Sequence, residues 1–220
     1  MALHQKTAVA LAAVKWPIAF LSLLSLPFTA SATVDLCLTH IRSALWLTSG
    51  ILCYFAVWFF AIRHWRHQWL STLEHELTHC LFALLSGNRV TGLNVTVKDG
   101  GHMTFTGSEN WLIDTSPYFF PTVTVILILL MPWLPTLHTP AGQFFIGVTL
   151  SYHLTSTWTE THSGQTDIQK AGVLFCWLFL PGANVAFLGI VLSAAIGGWG
   201  TAGSWIESTF LSFMLVTRGF

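Results

Sequence analysis

His75, Glu76 and His79 stand in the run Glu74-His75-Glu76-Leu77-Thr78-His79, an HExxH arrangement. The stretch around it, Trp69 to Leu85, has no proline, and Gly87 follows as a natural helix C-cap, so it predicts a helix. Four residues make about one helical turn, which puts both imidazoles on one face with their rings converging on a common point. Two neutral imidazoles so placed can bind zinc, and Glu76, beside His75, can take a proton from water held at that point. His and Glu inside an apolar helix are costly unless paired or metal-bound, and this cost makes their presence informative. The bland alternative is a polar cluster stapling helices by hydrogen bonds.

A catalytic zinc needs a third protein ligand and one open position. The segment from Ser151 to Ile168 offers His153, Glu160, His162 and Asp167. Asp167 follows a glycine-containing turn and begins a helix, where N-capping alone would explain it. His153 lies inside an apolar run, where a hydrogen bond to a neighbouring helix would explain it. The residues by themselves leave the third ligand open between these two.

The elements that must hold these groups are written in the composition. Of 220 residues, 53% are hydrophobic and 8% charged, against about 25% charged in a soluble domain. With eleven Trp and seventeen Phe besides, this is an α-helical polytopic membrane protein. The formal net charge of zero excludes a nucleic-acid-binding face. Cys37, Cys53, Cys80 and Cys176 form no CxxC pair and read as small apolar residues.

Apolar runs occur at about Thr7–Thr29, Ala44–Ile62, Trp69–Leu85, Tyr118–Leu134, Phe144–Trp158 and Ala171–Ile196, with a weaker one at Ser204–Val216. They predict six or seven transmembrane helices in a single domain over residues 1–220. Ala30-Ser31-Ala32 has the look of a signal-peptidase site, but an uncleaved anchor is the expectation, because the apolar run starts before Lys15. A different pattern occupies about 88–116. Leu93, Val95 and Val97 alternate with polar residues, Asp99-Gly100-Gly101 supplies a turn, and Met103 and Phe105 alternate with Thr104 and Thr106. This predicts a small β-hairpin insertion after the HExxH helix, placed at the surface or in a protein-lined cavity because lipid excludes open strand edges.

The chain resembles the site-2 protease family of intramembrane zinc metalloproteases, in its compact bacterial branch without a PDZ domain. The likeness rests on His75 to His79, Gly87-Asn88-Arg89-Val90, the hairpin through Gly100-Gly101, and Gln165-Thr166-Asp167-Ile168, with Leu180-Pro181-Gly182-Ala183-Asn184 beyond. It implies His75, His79 and Asp167 as zinc ligands and Glu76 as the catalytic base. It implies a membrane-anchored protein substrate, regulated intramembrane proteolysis and a bacterial cell (inner) membrane. The better-studied members carry Leu-Asp-Gly at the aspartate, whereas no glycine follows Asp167 here. The family orientation opens the zinc site to the cytoplasm, while the basic run Arg63 to His67 argues for the reverse.

Two other functions compete. A prenyl-protein-processing type of membrane metalloprotease would need a glutamate third ligand, for which only Glu160 is available. A non-catalytic metal-binding membrane protein or transporter would favour His-rich loops, whereas His64, His67, His102 and His138 are scattered. Two further roles stay open: the hairpin either binds an unwound substrate by strand addition or plugs a cavity mouth, and Asn184 either binds substrate or satisfies carbonyls freed by Pro181.

Overall fold

The computed structural model describes residues 2–64, 69–96 and 100–218. The elements run α1 (Leu3–Thr39), α2 (Ile41–Phe60), α3 (Trp69–Leu85), β1 (Arg89–Thr96), β2 (Gly100–Thr106), α4 (Trp111–Thr115), α5 (Thr122–Leu130), α6 (Pro140–Glu160), α7 (Thr166–Ala171) and α8 (Val173–Arg218). Short 3-10 turns join several of them. Trp65, Arg66 and His67 of the basic run, Val97 and Lys98 of the expected strand alternation and Asp99 of the expected turn fall outside the described residues.

α1 passes unbroken through Ala30-Ser31-Ala32 and lies along α8, where Ser22 donates to the Phe179 carbonyl at 2.7 Å. α2 packs on α6 at two glycines: a Cβ on Gly50 would collide with the Phe144 carbonyl, and one on Gly147 with that of Leu47. Small residues at such crossings let backbones approach closely within a membrane. The sixth and seventh apolar runs join in α8, whose helical geometry breaks at Gly198. Beyond that break the chain doubles back, bringing Trp205 against Gly189 and the Phe213 ring to 5.4 Å from Phe28.

Among the described residues, three helices, α1, α2 and α8, are long and apolar enough to cross a membrane. A fourth span arises if Trp111–Tyr118 and Thr122–Leu130, bent by 81°, count as one. The architecture is the helical polytopic one expected, with fewer spans by this measure than the apolar runs suggested. Three physical features account for the difference. α3 has 17 residues, short of the roughly 20 that a span needs. α6 carries Ser, Thr and His along its length. α8 counts once although it folds back on itself.

α3 ends as its sequence predicted. Gly87 has φ 78°, and the Asn88 amide reaches back to the Ala83 carbonyl at 2.9 Å, closing the last turn. The chain then enters the antiparallel β1–β2 pair. On β2 the expected alternation holds, with Met103 and Phe105 against the core and Thr104 and Thr106 outward. On β1 a register irregularity between Val90 and Gly92 interrupts it, and Leu93 remains 41% exposed. Asn88 closes the hairpin's base, its Oδ1 accepting from the Ser108 amide at 2.8 Å and its Nδ2 donating to the Ser108 carbonyl at 3.1 Å.

Beneath α3 lies an aromatic core. Phe82, Trp111, Tyr118, Phe119, Phe175 and Phe179 are all buried. Phe175 and Phe179 stack at 5.4 Å, and Trp111 meets both edge-on. This packing fixes α4 and the start of α8 relative to α3, and so frames the space between them.

Candidate metal centre

α3 delivers His75 and His79 one turn apart, and α7 delivers Asp167 opposite them. The Nε2 atoms of the two histidines are 3.1 Å apart, and the Asp167 Oδ2 lies 3.2 Å from that of His79 and 3.4 Å from that of His75. The other ring nitrogens are already committed. His79 Nδ1 donates to the Ile113 carbonyl at 2.8 Å, and His75 Nδ1 donates to Glu160 Oε2 at 2.8 Å. A carbonyl and a carboxylate can only accept, so each neutral ring carries its hydrogen at Nδ1 and turns a lone pair inward. Two imidazole lone pairs and a carboxylate oxygen then face one another, an arrangement that repels unless a cation lies among them.

The donor set fits zinc. Two imidazoles and a carboxylate leave one tetrahedral position open, and zinc bonds of about 2.0–2.1 Å separate neighbouring ligand atoms by roughly 3.3 Å. Tyr118 adds a donor, its hydroxyl 3.5 Å from Asp167 Oδ2.

Residues 47–219 match the family described as Peptidase M50B-like. The chain belongs to this peptidase family. Neither the comparison with curated proteins nor that with solved structures gives a match. The M50B-like family has metalloprotease as its general kind, and the His75, His79 and Asp167 cluster supplies a place for a metal within the matched region.

The other residues singled out in the sequence separate clearly in this M50B-like chain. Asp167 is not the N-cap of α7, a position taken by Gln165. His153 is buried on α6 with Nε2 at 3.3 Å from the Thr157 hydroxyl, and it lies outside the cluster. His162 is exposed and accepts from the Gly164 amide at 3.2 Å. Glu160 approaches the site but addresses the outer nitrogen of His75. Asn184 donates to the carbonyls of Leu180 and Tyr118, both at 2.9 Å, so it ties α8 to the turn after α4; neither is the Trp177 carbonyl that Pro181 leaves without its helical donor.

Glu76 lines a cavity of 160 Å³ together with His79 and Asp167. Strand β2 forms one wall through Gly101, His102, Met103 and Phe105. The close approach of β2 to α3 requires a glycine at 101, since a Cβ there would lie 2.6 Å from both Glu76 Cγ and Thr72 Cγ2. Glu109, Asp114 and Lys170 complete a charged rim that the sequence reading did not identify. No local pattern marks these three; they meet only when α4 and α7 pack side by side.

Proposed function

We propose that this chain is an intramembrane zinc endopeptidase that hydrolyses peptide bonds of membrane-anchored proteins, in a bacterial inner membrane and in regulated intramembrane proteolysis. The observation that carries the reading is the convergence of three acceptor atoms, from His75, His79 and Asp167, beside a cavity that Glu76 also lines. His75, His79 and Asp167 would hold the zinc. Zinc held there supplies a Lewis acid that polarises the scissile carbonyl and acidifies water.

The chain's own groups do the rest. Glu76, 9% exposed and with no hydrogen-bond partner among the described residues, is the general base. It accepts a proton from the attacking water and passes it to the departing amide nitrogen. Among the described residues β2 pairs only with β1, so its other edge can receive an unwound substrate segment by strand addition along the cavity wall.

The test uses purified full-length protein reconstituted in bilayers with zinc and a panel of single-span substrates. Wild type should bind about one zinc per chain and cleave. Glu76→Gln should keep the zinc, stay folded and fail to cleave. Wild-type protein that binds zinc but cuts none of a broad panel would favour a non-catalytic metal-binding protein or transporter. Cleavage by Glu76→Gln at the wild-type rate would remove the mechanism.

A further inference from the structure

The two histidines are held in different ways. His79 is anchored by a main-chain carbonyl, that of Ile113, which no side-chain substitution removes. His75 is anchored by a side chain 85 residues away, the carboxylate of Glu160 at the end of α6. That carboxylate is itself restrained. Its Oε1 accepts from Ser71 and, at 3.3 Å, from Ser156, and the two serine hydroxyls lie 2.5 Å apart.

The spacing explains how two helices build this clamp. Ser71 and His75 are four apart on α3, and Ser156 and Glu160 are four apart on α6. Each helix therefore presents a serine and a chemical group on one face, one turn apart. The Ser71 and Ser156 hydroxyls meet between the two helices, and one turn further along each helix the His75 imidazole meets the Glu160 carboxylate. The Glu160 side chain is 21% exposed and that of His75 12%, so both sit largely out of solvent. A carboxylate so placed is costly unless its oxygens are paired. Here His75 and the serines satisfy both oxygens. Oε2 is spent on the outer nitrogen of His75, so Glu160 does not serve as a third ligand.

We propose that Glu160 is the positioning residue of the metal centre: its hydrogen bond from Nδ1 locks the His75 ring in the tautomer and orientation that present Nε2 to the metal, and Ser71 and Ser156 hold the carboxylate in place to do so. This rests on the metal reading above. The physical basis is general: a carboxylate on the outer nitrogen fixes the ring, raises its basicity as a ligand and typically governs metal affinity by 10–100-fold.

The test reads metal affinity and tautomer rather than proteolysis. Zinc dissociation constants would be measured by chelator competition on full-length protein in detergent, for wild type, Glu160→Ala, Glu160→Gln and the Ser71→Ala/Ser156→Ala pair. ¹⁵N-histidine NMR on the zinc-saturated proteins, with His75 assigned through His75→Ala, reports which ring nitrogen carries hydrogen. Glu160→Ala should weaken zinc about 10–100-fold and shift His75 away from the Nδ1–H form. Glu160→Gln keeps an accepting oxygen but loses the charge, so the tautomer should persist while affinity falls on the order of tenfold. The serine pair should fall between wild type and Glu160→Ala. A role limited to joining α3 and α6 would lower thermal stability without moving the His75 tautomer, and that result overturns the proposal. Zinc affinity within about twofold of wild type in both Glu160 variants overturns it too. If His79→Ala also binds zinc like wild type, the metal centre itself is misassigned; if only the Glu160 variants do, the positioning role alone fails. Glu160→Gln, close in size to the native residue, keeps the test decisive should Glu160→Ala not fold.

Discussion

Glu74 and Glu76 are two residues apart on one helix, both buried, and they face opposite surroundings. Glu74 turns toward α5, where its Oε1 accepts from the Val123 amide at 3.1 Å. The α5 N-cap is Pro121, which offers no side-chain acceptor, so a carboxylate from another helix takes over the capping. Thr78, one turn on, adds hydrogen bonds to the Glu74 carbonyl at 2.7 Å and to the Thr122 hydroxyl. Glu76 turns toward the cavity and β2 and is tied to nothing among the described residues. One side of α3 is thus closed and hydrogen-bonded, and the other is open beside the metal cluster. Two carboxylates in nearly the same sequence context differ in role because they point to different neighbours.

Substitutions on the two sides should therefore fail in different ways. The largest effect belongs to the cluster itself. Asp167→Asn should abolish tight zinc binding and reduce proteolysis to background, while His153→Gln should leave zinc in place; metal analysis of both variants checks this, and the reverse result would make His153 the ligand. Next comes the open side. Glu76→Gln should lower the cleavage rate by about 10²–10⁴ with zinc retained, whereas Glu74→Gln should leave the rate within roughly tenfold. Equal rate losses in the two would erase the distinction between the faces.

A subtler change tests the cavity wall. Gly101→Val forces β2 off Glu76 and Thr72 without touching a metal ligand, and misplacement of about 1 Å can cost up to ~10²-fold in rate. Steady-state cleavage should fall while zinc stoichiometry stays near one, and an unchanged rate would show that β2 takes no part in placing Glu76. The smallest effect is expected on the closed side. Glu74→Ala removes a helix cap and should cost about 0.5–2 kcal/mol of stability, read as a lowered thermal midpoint, with zinc affinity preserved.

Much of this was legible along the chain. The bounds of α3, its cap at Gly87 and the shared face of His75 and His79 follow from local periodicity, as does the alternation on β2. Asp167 was one of two open candidates on residue chemistry, because an Asp at a helix start and a His within an apolar helix each have an ordinary explanation. Position in space separates them: α7 carries Asp167 to the histidines, and α6 points His153 elsewhere. Glu160 was visible as a metal-binding residue type, yet its partner was not, because Ser71–His75 and Ser156–Glu160 gain meaning only when α3 meets α6.

By itself the sequence determined what depends on neighbours within a few residues: membrane character from composition, helix and hairpin from hydrophobic period, and the convergence of two imidazoles from a four-residue spacing. Tertiary structure alone decided what depends on contacts between distant segments. The Asp167 oxygen reaches His79 across 88 residues of chain, the Ile113 carbonyl reaches the same ring across 34, and Glu74 caps α5 across 49. No short-range pattern encodes such pairings. They are selected by the packing of helices that buries these polar groups, where each must find a partner or lose several kcal/mol in hydrocarbon.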